Sequence, residues 1–377
     1  MPTQSAVFPA SAAFVVAEAD SLEAPGRVPD VLRAVAGANP DAAATLARLV
    51  RTVLFGGTLP PSMKLAMGVR IARQLRTGYA LAHLERLARA AGPVDDPRTE
   101  MAVRYGLDLT RDIHGVGDEA FAQVSARFND AQVVELTMTT CFLNYFTRLT
   151  AGLGVVPEPW LATSAPRIPK RIANAFAPAR VCLSSDDELK MAGPILERWG
   201  PGGAGASSLG VGIPNSVRAM VRVPDLYDAW LGRWQAPGSK PAVVPRTTLL
   251  QVSLAVSTIN GCRYCVLHQV SGLRRQGVDI KKLVALRKDD SALAPDEKAA
   301  VDFARKLTKD PAGVVEADRT ALAAHFPGPA AFEILQQTCR FAFMNRFTDG
   351  LRLPSEDEAV HVYRETYGRD FQGKGDR

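Results

Sequence analysis

The stretch Asn260-Gly261-Cys262-Arg263-Tyr264-Cys265-Val266-Leu267-His268 concentrates the reactive side chains of this chain. Its two thiols are three residues apart, and at 3.6 residues per turn such a pair shares one face of a helix. At that separation they can close into a disulfide with little backbone movement. Asn260-Gly261 marks a helix start just before them, a place where a thiol pKa is lowered. An imidazole, His268, follows three residues after the second thiol.

An altered copy of the stretch lies upstream, and this copy decides the fold. In Thr77-Gly78-Tyr79-Ala80-Leu81-Ala82-His83 the tyrosine and histidine match Tyr264 and His268 at one spacing, and Gly92 matches Gly277. Leu109-Thr110-Arg111-Asp112 then matches Leu307-Thr308-Lys309-Asp310 at a second spacing. That second spacing also pairs Glu135 with Glu333, Thr140-Cys141 with Thr338-Cys339, Arg148 with Arg346, and Gly152-Leu153 with Gly350-Leu351. The change implies a 13-residue insertion in the second copy, within Lys281 to Ala294. Upstream, Val31-Leu32-Arg33-Ala34-Val35 parallels Ser216-Val217-Arg218-Ala219-Met220. Matched spacing over several elements reads as a tandem duplication. Its expected organisation is a leader at 1–27, a first copy at 28–155, a Pro/Gly-rich connector at 156–213, a second copy at 214–354, and a C-terminal tail at 355–377.

Periodicity makes the copies helical. Val31, Leu32 and Val35 share a face after Pro29, and a second helix carries Leu46, Leu49, Val50 and Val53. One run is expected from Met63 to Ala91, one from Asp95-Asp96-Pro97 to Arg111, and one from Ala131 to Leu153. No alternating run of strand length has hairpin turns around it. The expected fold class is all-α. The connector is expected to hold a short helical piece at Asp186 to Trp199 and a flexible Gly200 to Ser208 end.

Composition narrows the function classes. With 377 residues, 47% hydrophobic and 22% charged, the chain is long enough for two cores and is not a disordered polypeptide. The net charge of +6 comes from scattered Lys and Arg without aromatic interleaving, which argues against nucleic acid. No apolar run reaches bilayer length, and the modestly apolar Ala6 to Val16 lacks a basic n-region. Five cysteines, an odd number, do not suit a secreted disulfide framework, so a cytoplasmic location is expected. In a reducing compartment a CxxC points to redox chemistry or metal binding. A zinc site would have only Cys262, Cys265 and His268, with no second CxxC or HxxxH to complete a tetrahedron, so no metal is expected. Cys141 and Cys339 fall in apolar helices as inert buried thiols. Cys182 has no local partner, and His114, His325 and His361 sit at loop-like or surface-like positions.

The run Ala255-Val256-Ser257-Thr258-Ile259-Asn260-Gly261-Cys262-Arg263-Tyr264-Cys265 resembles the active-site helix of the alkylhydroperoxidase D-like / carboxymuconolactone decarboxylase family. The tail Asn345-Arg346-Phe347-Thr348-Asp349-Gly350-Leu351 is similar to that family as well, and Gly56-Gly57-Thr58-Leu59-Pro60 between two helices fits its decarboxylase-like members. The resemblance spans about 28–155 and 214–354. It implies a compact helical unit that assembles into trimers or hexamers, hence a homo-oligomer here. In peroxidase-type members two thiols reduce a peroxide or a partner disulfide while a histidine and a glutamate relay the proton. Cys262 and Cys265 match the thiols. The family histidine position holds Gln269, with His268 displaced by one, and the family glutamate position holds Leu250. In the first copy Thr77 and Ala80 replace both thiols, while His83 is kept.

Three functions are weighed. The first is a thiol-dependent peroxidase or disulfide reductase using Cys262 and Cys265 as its redox-active pair and no other cofactor. It would have His268 as acid/base, Gln269 and Tyr264 in support, a small peroxide as substrate and a thiol/disulfide protein as electron donor. The second is a cofactor-free lyase on a small carboxylated lactone or related acid, using His83 or His268. The third is a non-catalytic assembly or small-molecule-binding protein.

Overall fold

The computed structural model describes residues 5–17, 20–24, 26–94, 96–169, 189, 195, 213–235, 243–288 and 290–372. Among them there is no strand, and the fold is all-α. A first series of helices runs α1 (Asp30–Ala38), α2 (Pro40–Phe55), α3 (Pro61–Gln74), α4 (Gly78–Ala91), α5 (Thr99–Arg111), α6 (Asp118–Ser125) and α7 (Asp130–Leu153), followed by a 3-10 turn at Pro159–Ala162. A second series runs α8 (Asn215–Met220), α9 (Pro224–Gln235), α10 (Arg246–Asn260), α11 (Arg263–Arg275), α12 (Ile280–Lys288), α13 (Pro295–Lys309), α14 (Glu316–His325), α15 (Pro329–Gly350) and α16 (Asp357–Tyr367). The two series follow the same order, except that α12 has no counterpart between α4 and α5. It stands within the stretch where the change of spacing requires extra residues.

Local chemistry sets the helix ends. Asn39 caps α2 by accepting the Ala42 amide at 2.9 Å, and Pro40 occupies the first turn. Asn129 and Gln132 close a reciprocal capping box at the start of α7. α7 and α15 are buried along most of their length and pack on each other, so they form the central pair of the molecule. They approach closely because Gly152 has no side chain: a Cβ there would stand 2.2 Å from Cδ1 of Leu335. α2 lies against α9, so the two series share one core. Arg148 and Arg346 are buried on this central pair, and each donates to a carbonyl one turn back in its own helix. Cys141 and Cys339 are fully buried, and burial pushes both thiols up in pKa.

The structure departs from the sequence reading at several places. The single run expected from Met63 to Ala91 is two helices, α3 and α4. Arg76 adopts a left-handed φ of 55° and reverses the chain, with the Thr77 amide closing on the Ala72 carbonyl at 3.0 Å. Apolar periodicity continues across that break and hides it. The leader is not loose throughout: Phe8 is buried, and Glu23 makes a two-pronged ion pair with Arg86 at 2.8 Å per contact. The tail beyond 354 forms α16, which packs on α11. Most of the connector, including Cys182, the glycine-rich end and all of the expected helical piece except Leu189 and Ile195, which are helical, lies outside the described residues. No helix among the described residues is long and apolar enough to cross a membrane.

Candidate functional site

The thiols sit where α10 hands over to α11. Gly261 ends α10 in the left-handed region at φ 76°, which returns the chain sharply. Cys262 is then the N-cap of α11, and its sulfur accepts the Cys265 amide at 3.3 Å. Cys265 follows in the first turn. Cys262 is therefore a cap with extended backbone and not a residue of the helix face, although the two sulfurs still converge. Thr348 on α15 bridges them, with its hydroxyl 3.3 Å from the Cys262 sulfur and 3.5 Å from that of Cys265. That hydroxyl donates to the Met344 carbonyl at 3.0 Å, so its oxygen is free to accept from either thiol. Neither thiol is bridged.

Two influences oppose each other at Cys262. The amide it caps and the start of α11 favour a thiolate. Burial opposes this most strongly, followed by the neighbouring Cys265 thiol and the negative charge of Asp349, and together they hold the Cys262 thiol well above its ordinary pKa. Asp349 follows Thr348 on α15, and its carboxyl lies against the Cys262 thiol and the Arg263 amide. Burial pushes the Asp349 carboxyl up to about 6, against the lowering effects of His114, Cys262 and Arg263.

His268 faces a different set of partners. Its Nδ1 lies 2.6 Å from the Tyr264 carbonyl oxygen, which makes Nδ1 the donor. Its Nε2 is 2.7 Å from Oε2 of Glu356, off the line of a hydrogen bond, and its ring stacks on Tyr264 with centroids 4.3 Å apart. The Tyr264 hydroxyl donates to Oε1 of Glu356 at 2.9 Å, and the Asn215 amide donates to the same oxygen at 2.7 Å. Burial raises the Glu356 carboxyl, but the contacts with His268, Asn215 and Tyr264 outweigh it and leave the group below the usual carboxylate range. Among the described residues no hydrogen bond joins His268 to either sulfur. Gln269 is buried, and its side-chain oxygen has no hydrogen-bond partner among the described residues. Leu250 is a buried core residue.

The same constellation recurs without thiols. His83 Nε2 meets Glu158 Oε2 at 2.8 Å, the Tyr79 hydroxyl donates to Glu158 Oε1 at 2.8 Å, and the Asp30 amide donates to that oxygen at 2.5 Å. Glu158 is likewise held low, with His83, Asp30 and Tyr79 overcoming burial. Thr77 and Ala80 occupy the places of the cysteines. His83 also lines a mostly apolar pocket, partly open to solvent, beside Leu84, Phe142 and Phe146.

Sequence reasoning did not single out Thr348 as a site residue, nor Glu356 or Glu158. The glutamates carried a readable signal, since Glu158 and Glu356 stand at the same spacing as Glu135 and Glu333. His114 lies in the α5–α6 loop and is exposed, as expected. Its side chain is 49% exposed, but its Nε2 reaches from the α5–α6 loop to the Gly261 carbonyl at 3.2 Å and to Oδ2 of Asp349 at 3.7 Å.

These features define a helical unit with a dithiol at a helix start, beneath a histidine–glutamate–tyrosine cluster. Residues 224–306 match the model of the Carboxymuconolactone decarboxylase family. No curated protein matches the sequence. The chain is similar to three solved structures over about half its length. The debrominase Bmp8 in its apo form is 21% identical over 50% of this chain and 98% of its own, at a TM-score of 0.42. An uncharacterized peroxidase-related protein from Silicibacter sp. TM1040 is 21% identical over 49% of this chain and 93% of its own, at 0.39. An alkylhydroperoxidase AhpD core, an uncharacterized peroxidase-related protein from Ralstonia eutropha JMP134, is 22% identical over 49% of this chain and 93% of its own, at 0.38.

Proposed function

We propose that the chain is a thiol-dependent reductase of peroxides, with Cys265 as the attacking thiol and Cys262 as the resolving one. The observation that carries this is the pair of sulfurs converging on one hydroxyl, Thr348, at 3.3 and 3.5 Å. Cys262 is fully buried and its thiol is held protonated, which suits a group that acts second. The Cys265 thiolate attacks the distal oxygen of the peroxide; an S–O bond forms, the O–O bond breaks, and the alkoxide takes a proton to leave as the alcohol. Cys262 then attacks the sulfenate sulfur; the S–S bond forms, the S–O bond breaks, and hydroxide leaves as water. A dithiol donor, as a small molecule or a protein, returns the pair to its reduced state.

Cys265→Ser and Cys262→Ser test the assignment. Peroxide turnover is lost in both, and a sulfenate trapped by dimedone accumulates on Cys265 only in Cys262→Ser. A sulfenate on Cys262 in Cys265→Ser reverses the roles, and full turnover in either variant removes the proposal.

His268 is assigned as a positioning residue. Its cluster with Glu356 and Tyr264 is repeated by His83, Glu158 and Tyr79 where no thiols exist, so thiol chemistry is not what the cluster serves. In both places the glutamate ties the helix histidine to a distant amide, of Asn215 or of Asp30. A second reading, a lyase or binding site in the first helical series, is favoured by the cavity beside His83. It is tested by carbon dioxide release from a carboxylated lactone. Release that survives Cys265→Ser and disappears in His83→Ala supports it, and no release by the native protein rejects it.

A further inference from the structure

The turn that carries the thiols is tied to α15 by a chain of polar side chains. Asn260, the last residue of α10, donates from Nδ2 to Oδ1 of Asn345 at 2.8 Å. Asn345 donates in turn from its own Nδ2 to Oγ of Ser257 at 3.0 Å. The Ser257 carbonyl then receives the Cys262 amide at 2.9 Å. Asn345 and Ser257 are fully buried, and Asn260 is half-buried. Three residues after Asn345, on the same face of α15, Thr348 meets both sulfurs. α15 thus grips the last turn of α10 through one residue and the dithiol through the next.

We propose that Asn345 is a positioning residue for the dithiol: it holds Cys262 beside Cys265 in the reduced protein and so favours closure of the disulfide. The assignment rests on the dithiol reading above. Among the described residues no hydrogen bond joins Asn345 to a sulfur, and it acts through Ser257 and Asn260. In the closed form the S–S bond itself fixes Cys262 against Cys265, so that form depends less on the side-chain chain. In the dithiol the restraint falls on that chain and on Thr348. Breaking the chain therefore frees mainly the reduced form. The effective concentration of one thiol at the other falls, and the pair becomes easier to reduce.

The first series supplies the comparison. There the chain turns in the same way: Arg76 takes the left-handed place of Gly261, and the Thr77 amide closes on the Ala72 carbonyl as that of Cys262 closes on Ser257. At the spacings that match the two series, Ala72, Leu75 and Thr147 stand where Ser257, Asn260 and Asn345 stand. Ala72 and Leu75 have no polar side-chain atom, and the Thr147 hydroxyl donates to the Leu143 carbonyl of its own helix at 2.7 Å. The turn therefore forms without the chain, and the chain occurs only in the half that has the thiols. Thr348, by contrast, is matched by Thr150 in the half without them. Burying polar side chains between α10 and α15 carries a desolvation cost that the first series avoids, and the turn alone does not account for it.

The test equilibrates the protein with glutathione and glutathione disulfide, quenches by alkylation, and measures the Cys262–Cys265 disulfide by peptide mass analysis. In this exchange the dithiol closes as one glutathione disulfide becomes two glutathiones. Asn345→Thr installs the residue of the first series, and Asn260→Ala removes the donor at the other end. Each should lower the equilibrium constant for closure about tenfold, which is a reduction potential about 30 mV less negative. Ser257→Ala should lower it less, and should add little to Asn345→Thr because both break one chain. Urea unfolding of the reduced and oxidised forms is the control: a residue that only supports the fold destabilises both forms equally and leaves the constant unmoved. A native constant in Asn345→Thr or in Asn260→Ala overturns the proposal, as does a Ser257→Ala effect that adds in full to that of Asn345→Thr. Should Asn345→Thr fail to fold by circular dichroism, the half-buried Asn260→Ala decides alone. A native protein that forms no Cys262–Cys265 disulfide with glutathione disulfide or peroxide fails the dithiol reading instead.

Discussion

Replacing Glu356 with glutamine keeps the size of the side chain and removes its charge. In the native protein Glu356 receives the Asn215 amide at 2.7 Å and the Tyr264 hydroxyl at 2.9 Å, and it faces His268 Nε2 at 2.7 Å, with 15% of its side chain exposed. Hydrogen bonds to a charged group contribute about 1.5–3 kcal/mol each, and neutral ones about 0.5–1.5 kcal/mol. Glutamine retains neutral versions of the amide and hydroxyl contacts, and its amide can donate to a neutral His268. The net loss is therefore about 2–4 kcal/mol at pH 7, well short of three charged bonds. The folded carboxyl lies below its usual range, so its stabilisation is present above the unfolded value of about 4.3 and is lost as pH falls through the folded pKa. Urea unfolding followed by circular dichroism at pH 7 and at about pH 3.5 measures both effects. Glu356→Gln should unfold at lower urea at pH 7, and the gap to the native protein should narrow in acid. Glu158→Gln should behave alike, because its contacts are the same in kind. Equal midpoints at pH 7, or a gap that persists undiminished in acid, refute the reasoning.

Other substitutions probe the scaffold. Lys64 and Glu135 form a fully buried ion pair at 2.5 Å, with Lys64 also donating to the Val53 and Gly56 carbonyls, so Lys64→Met should cost about 3–5 kcal/mol in urea unfolding. Gly152→Ala should lower stability by about 1–3 kcal/mol, because its Cβ would press on the buried Leu335 between α7 and α15. Cys141→Ala and Cys339→Ala should leave the number of thiols lost to peroxide unchanged, since both are fully buried and held protonated in the central helix pair.

Much of the fold was legible because it depends on local pattern. Helical periodicity placed most helices of the first series, and matched spacings revealed two series in one order. The break at Arg76 was not legible, because a left-handed arginine leaves no mark in an apolar pattern. At the site, the CxxC was visible at once. Its geometry was not, since a helical wheel assumes that both residues lie within the helix, whereas Cys262 caps it with extended backbone. Nor did the sequence reading point to Glu356 as the partner of His268. The remaining site residues come from far along the chain: Thr348 and Asp349 from α15, Glu356 from the segment after it, and His114 from the first series. Chain folding brings them together, and no local motif announces it.

The most direct test is to treat the reduced protein with one equivalent of hydrogen peroxide, block free thiols, and map the linkages by peptide mass analysis. A Cys262–Cys265 disulfide is expected in nearly every chain, reversed by dithiothreitol, with Cys141 and Cys339 still free. A peptide map in which Cys262 and Cys265 remain as thiols while peroxide is consumed, or in which peroxide is not consumed at all, would contradict it.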